Sequence, residues 1–387
     1  MPATTDLGLI DHHCHGLLRQ APSPQEFRLL STEAHWPAPE GTESLDSPVG
    51  LAIRAICGPA LGLPRHVPVA EYVDHRANMC AQDAHAALMP LTGIERYLID
   101  TGFAADQLMS PEDMAVATGS IGEEIVRLEA VAEQVGPGSS AEGFAADFTA
   151  ALDERAIGAV GFKSIIAYRW GFDLRGEAPG DGEVRDAVGR WLAGAESSGD
   201  YRISDPTLLQ HLIWAAIPYQ KPIQFHTGYG DSDVLLHRSD PSRLRDFFVA
   251  TRTTGTNMML LHCYPYIREA AIAAQLFPHV YCDVGLATQY LGPSATVAVR
   301  QVMEIAPFSK VLFSSDAYGL AELYTVSAHL WRHEMDRLLD AWIAEGWTSA
   351  DDARRIATMI ASGNALRAYN LGTGGREDAR VLGRGGS

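Results

Sequence analysis

Two histidines one residue apart close the first apolar run of the chain, Leu9-Ile10-Asp11-His12-His13-Cys14-His15. In an extended strand, residues i and i+2 face the same side. His13 and His15 therefore project together, with His12 and Cys14 on the opposite face. Two neutral imidazoles on one side make half of a divalent-metal site. Three later apolar runs also end in ligand-type residues, His226, His262 and Asp316, and a fourth carries Lys163 near its end.

The elements that would position these residues are short apolar strands alternating with helices. Strands are expected near 7–15, 94–101, 124–128, 157–166, 222–226, 257–262, 279–284 and 311–316. Helices are expected near 139–156, 204–219 (with Pro206 at its first position), 241–251, 267–276, 294–304, 322–344 and 349–362. Such strands imply a parallel sheet buried on both faces. Eight of them predict an α/β fold of the (β/α)8 TIM-barrel type, in which chemistry sits at the strand C-termini. A doubly wound sheet would need a Gly-rich phosphate turn after the first strand, and the sequence offers His12-His13-Cys14-His15-Gly16 instead.

The segment 19–92 breaks this rhythm. It is proline-rich, includes a helical stretch near 69–88, and is too long for a plain connection. It reads as a mainly helical insertion between strands 1 and 2 that could cover a pocket. The stretch 171–199 reads as a surface excursion holding a short helix. One barrel domain is expected over 1–375, followed by a disordered Gly/Arg-rich tail at 376–387.

Composition narrows the function classes. The formal charge of −18 argues against nucleic acid or anionic membrane as partner. Five cysteines without CxxC spacing read as free thiols in a reducing compartment. No signal peptide and no membrane-length apolar run is visible, so a cytoplasmic protein is expected.

The ordered set is His-x-His on strand 1, Lys163 on strand 4, histidines ending strands 5 and 6, and an aspartate ending strand 8. It resembles the amidohydrolase superfamily. The flanking text, Phe162-Lys163-Ser164-Ile165, His226-Thr227-Gly228-Tyr229-Gly230-Asp231, His262-Cys263-Tyr264-Pro265 and Ser314-Ser315-Asp316-Ala317, is similar to its amidohydrolase-2 branch. That branch includes the amidohydrolase domain of FluG-type proteins, which is fused to a glutamine-synthetase-like domain. The present length leaves no room for the second domain, so a free-standing form is expected. The resemblance implies that His13, His15, His226 and Asp316 bind a metal. Zn2+ suits imidazoles with one carboxylate, and Mn2+ or Fe2+ is also compatible. His262 is implied either as ligand to a second metal or as an unligated acid/base. Lys163 is implied either as a carboxylated bridge between two metals or as an anchor for a substrate carboxylate. Asp316, His262 and Lys163 are thus the expected catalytic groups.

Substrate contacts are expected from the loops after these strands. Arg169 beside Tyr168 suits a carboxylate, or is a surface arginine. Asp231 and Asp233 suit an amino group, or cap a helix. Tyr264 and Tyr266 follow strand 6 and suit the pocket wall. Arg54 and Arg76 could reach over the pocket from the insertion. The expectation is a metal-dependent hydrolase of a C–N bond, with a γ-glutamyl amide or related small molecule as substrate. Its alternative is a zinc-dependent decarboxylase or hydratase of a small carboxylate, and a catalytically idle barrel ranks below both. A homodimer or higher homo-oligomer is expected.

Overall fold

The computed structural model describes residues 2–372. The expected tail at 376–387 lies outside the described residues. Seven strands form one parallel sheet in sequential order: β1 (Leu9–Cys14), β2 (Ile94–Asp100), β3 (Ile121–Arg127), β4 (Ala159–Ser164), β5 (Ile223–Thr227), β6 (Met258–His262) and β7 (Val280–Cys282). β1 and β4 to β7 are buried on nearly every residue because helices cover one side and the sheet's own concave side is filled. Ile10, Leu98, Ile125, Met259, Leu261, Tyr281 and Leu312 form an inner cluster with Tyr369. The larger cluster lies between the strands and the surrounding helices.

The expected eighth strand is not formed as one. Residues 311–317 are irregular, with a single parallel bridge from Val311 to Cys282. Their backbone nevertheless bonds to both edges of the sheet. Leu312 N donates to Cys282 O at 3.1 Å, and His12 N donates to Phe313 O at 3.2 Å. Asp316 N donates to His13 O and His15 N to Ala317 O, at 3.0 and 2.9 Å. The sheet is therefore curled, and β1 and β7 share this segment. The ladder fails because Asp11 takes its bonds instead: Ser315 N and Oγ both donate to the Asp11 carboxylate. Asp316 then adopts a left-handed backbone, φ +51°.

Other expectations shift locally. β3 begins three residues earlier than 124. The helix at 69–88 is two, Val69–Ala77 and Ala81–Leu88, separated where the Cys80 sulfur caps the second. The helix in the 171–199 excursion is long, Asp181–Ser198, because Val184, Ala187, Val188, Trp191 and Ala195 give it a buried face at helical spacing.

Between β1 and β2 the chain carries helices Pro24–Leu30 and Pro48–Ala60 as well as those two. This segment is tied to the rest by a buried ion pair. Arg76 Nε donates to Glu322 Oε1 at 2.5 Å, and Tyr72 Oη donates to the same oxygen at 3.3 Å. Glu322 lies in the first turn of the helix Ala321–Ala344, six residues after Asp316. Arg76, a candidate to reach over the pocket, is buried in this brace. Arg54 instead donates to the carbonyls of Gly50 and Val67. Truncating one member of a buried pair strands the other charge, at about 3–5 kcal/mol. Arg76→Ala is expected to lower unfolding stability by that amount in urea titration, and a loss below about 1 kcal/mol would show that the brace is not structural.

Candidate metal centre

The C-terminal ends of the strands converge on one cavity of about 470 Å³. His13 and His15 leave β1 toward it, as their spacing requires. Their Nε2 atoms lie 2.9 and 3.6 Å from Asp316 Oδ1. These three ligand atoms all lie within 4.8 Å of one another, and all three residues are buried. His262, ending β6, brings Nε2 to 3.2 Å from Asp316 Oδ2, outside hydrogen-bonding geometry. The His226 ring, from β5, lies 4.8 Å from the His262 ring between centroids. Lys163 Nζ, from β4, is 3.3 Å from His13 Nε2.

Each of the first two imidazoles is oriented by its far nitrogen. His15 Nδ1 faces the Asp100 carbonyl oxygen at 3.1 Å, which can only accept, so Nδ1 carries the proton. His13 Nδ1 faces Gln224 Oε1 at 2.8 Å. The Gln224 amide orientation is fixed because its nitrogen donates to the His12 carbonyl at 2.6 Å. Both Nε2 lone pairs therefore face the cavity, where that of His13 meets the Lys163 amine. His226 Nδ1 is 3.3 Å from the Tyr168 hydroxyl, while its Nε2 is buried without a partner. Gly230 makes room for that nitrogen: a Cβ there would stand 2.7 Å from His226 Nε2 and 2.2 Å from Tyr168 Oη.

Burial, and next the Lys163 amine, hold the His13 and His226 imidazoles well below their ordinary range. Burial, and next His226, does the same to His262. Burial lowers His15 to about 4 and Lys163 to about 8. It also pushes the Asp316 carboxyl well up. Neutral imidazoles with free lone pairs, two of them orphaned Nε2 atoms, beside one carboxylate are the donor set that a divalent ion of the zinc class takes. The residues present fit such an ion.

His12 faces away, as its alternation predicts, and bonds Asp283 Oδ2 and the Tyr369 hydroxyl, each at 2.9 Å. Asp283 also accepts from the His262 amide at 2.9 Å and so holds that residue in its left-handed backbone, φ +67°. Burial works against the Asp283 charge, but these bonds hold its carboxyl below the ordinary value.

The expected substrate contacts divide. Tyr168, Arg169, Asp231 and Asp233 line the cavity. Arg169 already faces Glu133 at 3.1 Å, and Asp233 faces Arg202 at 2.9 Å. Asp231 lies 3.4 Å from His35, which also stands in the cavity wall. Tyr264 is not among the lining residues, and its carbonyl accepts from the Tyr229 amide. Tyr266 reaches the Leu236 carbonyl instead.

Gln224, Asp100, Asp283 and Arg127 escaped the sequence reading. Asp100 and Arg127 end β2 and β3, and Asp283 follows β7, so the rule that singled out the ligands could have found them. Gln224 sits two residues before His226 on the same face. Glu33 carries no sequence signal at all.

Neutral imidazoles and a carboxylate sharing one cavity at the ends of parallel strands define an α/β protein with a metal-type site. The chain belongs to the amidohydrolase family, whose profile matches residues 10–371. It is 29% identical to the protein fluG of Emericella nidulans over 244 residues, which are 59% of this chain and 28% of that protein. The chain thus spans little more than a quarter of that relative. A Lactobacillus casei structure, to which metal-dependent hydrolase activity is provisionally ascribed, aligns with TM-score 0.82 and 26% identity over 95% of this chain and 96% of that one. Glucuronate isomerase of Caulobacter crescentus aligns with TM-score 0.67 and 14% identity, covering 96% and 93%. The latter likeness is one of fold.

Gln224→Leu removes the acceptor that fixes His13. Outer partners of metal-ligating histidines are worth about 10–100-fold in affinity. Chelator-competition titration with Zn2+ is expected to show a loss in that range, and unchanged affinity would remove Gln224 from the site.

Proposed function

We propose that this protein is a metal-dependent hydrolase of a C–N bond, acting on a small amide such as a γ-glutamyl amide. The observation that carries the reading is the buried cluster of His13, His15 and Asp316, with the unpartnered Nε2 atoms of His226 and His262 beside it. Its likeness to the Lactobacillus casei protein supports hydrolysis over the other chemistries of the fold. Within this reading, residues 311–317 serve as an irregular eighth stave of a (β/α)8 barrel, and the helical segment 19–92 covers its mouth.

His13, His15, His226 and Asp316 would hold the ion, with His262 and a carboxylated Lys163 completing a second position. An ion there supplies a Lewis acid and lowers the pKa of bound water toward about 7. Asp316 Oδ2, buried and beside His262 Nε2, is placed to take a proton during attack on the carbonyl and return it to the leaving amine. His262 Nε2 can donate to the developing oxyanion when it is not a ligand. Zinc as the ion, a reducing cytoplasmic location and a homo-oligomeric state complete the proposal.

The second reading, a decarboxylase or hydratase with a single metal, draws on Lys163 remaining an amine. Lys163 lies within reach of a substrate carboxylate in the same cavity.

Elemental analysis on protein purified with bicarbonate separates these. About two equivalents, falling to about one in Lys163→Ala, supports the carboxylated bridge. About one in both forms supports the second reading, to be checked by CO2 release without water uptake. His226→Ala is expected to lose metal and amide hydrolysis together. Asp316→Asn is expected to lose hydrolysis by at least about 100-fold, a typical acid/base contribution, and more than it loses metal. Retained turnover in Asp316→Asn would end the proton-transfer role.

A further inference from the structure

Glu33 stands apart from the other charged groups of the cavity. It lies in the bend after the helix Pro24–Leu30, in the segment between β1 and β2, and its half-buried side chain lines the cavity wall. The other three lining carboxylates each face a basic side chain. Asp316 has its histidines, Asp231 has His35, and Asp233 has Arg202. The lining arginines are likewise occupied: Arg127 by Asp100, Arg169 by Glu133 and Arg202 by Asp233. Among the described residues, no lysine or arginine pairs with Glu33.

Phenols surround it instead. The Tyr290 hydroxyl stands beside the carboxylate without completing a hydrogen bond of good geometry. After burial, the Glu33 charge is the strongest influence holding the hydroxyls of Tyr168, Tyr229, Tyr290 and Tyr318 above the ordinary phenol pKa. Four aromatic hydroxyls thus lie within the field of one carboxylate. The Tyr229 and Tyr290 rings meet edge to face, with centroids 5.8 Å apart. The bend is held in place from two sides. Tyr318 donates to the Thr32 carbonyl at 3.2 Å, and Ser232 meets His35 at 2.8 Å.

We propose that Glu33, with the tyrosines around it, is a recognition point for a protonated amine on the substrate, in the wall of the cavity that holds the metal cluster. A carboxylate that no lysine or arginine neutralises, with phenol hydroxyls beside it, offers an ammonium group both opposite charge and hydrogen-bond acceptors. An ammonium there also relieves the cost of burial, which in the free protein pushes the Glu33 carboxyl up to about 7. The inference rests on the amide-hydrolase reading only for which end of the substrate reacts. It narrows the substrate class to amides carrying an amino group away from the scissile bond.

The test is a binding measurement, independent of turnover. The probes are 4-aminobutanamide and its uncharged isostere pentanamide, titrated calorimetrically into the full chain with and without Zn2+. The wild type is expected to prefer the cationic probe by about tenfold or more, the scale of a charge-assisted contact. Glu33→Gln is expected to abolish that preference while keeping the metal content of the wild type. Equal affinity for the two probes, binding of neither, or a preference that survives in Glu33→Gln overturns the proposal. A preference that depends on Glu33, with neither amide hydrolysed, leaves the proposal standing and counts against the hydrolase reading alone. Hydrolysis of pentanamide as fast as 4-aminobutanamide, with no binding preference, does the reverse.

Discussion

Keeping imidazoles uncharged and out of water, with their lone pairs aimed at one point, is the constraint on which this structure depends. An isolated charge in such a place would carry a desolvation penalty of several kcal/mol, and a dication can be held only by donors that are not already protonated. The protein meets both demands with contacts on the far side of the rings. The Asp100 carbonyl accepts from His15 Nδ1–H and so keeps the proton on that nitrogen, and Gln224 Oε1, locked by the bond of its amide nitrogen to the His12 carbonyl, does the same for His13. These partners leave Nε2 of each ring facing Asp316.

The backbone supports the same arrangement. His262 and Asp316 both occupy left-handed conformations that residues with a Cβ seldom adopt. Asp283 accepts from the His262 amide, and His13 O accepts from the Asp316 amide, so each strained residue is tied to a neighbouring stave. The missing ladder at 311–317 belongs to this account. A regular strand would alternate Asp316 by its register, whereas the Asp11–Ser315 contact frees the backbone to turn its carboxylate toward three histidines.

Much of this was legible in the sequence. His13 and His15 could be assigned to one face from their spacing, and His226, His262 and Asp316 by their place after apolar runs. Helix Pro206–Ala216 began where Asp205 and Pro206 signalled. The eighth strand was misread because its apolar run, Val311-Leu312-Phe313, is buried as a strand would be, while the bonds that interrupt it come from Asp11, some 300 residues away in the chain. The two helices at 69–88 share one apolar stripe, and only Cys80, an unusual cap, divides them. Side-chain pairing was least accessible. Arg169, Asp231 and Asp233 do line the cavity, but their partners Glu133, His35 and Arg202 come from elements whose neighbourhood no local pattern discloses.

The bend at Thr32–His35 contributes to the cavity wall from a stretch of chain that takes no part in the sheet. Its tethers are a few side-chain contacts, and Arg76, which braces this segment to the helix after Asp316, also lies over Phe27 just ahead of the bend. The two halves of the pocket therefore come from separate stretches of chain. Insertions, deletions or replacements in this stretch can reshape what enters while the histidine cluster keeps its geometry. A protein built this way can acquire new specificities by drift in a peripheral loop, and kinship in the sheet is then a poor guide to diet.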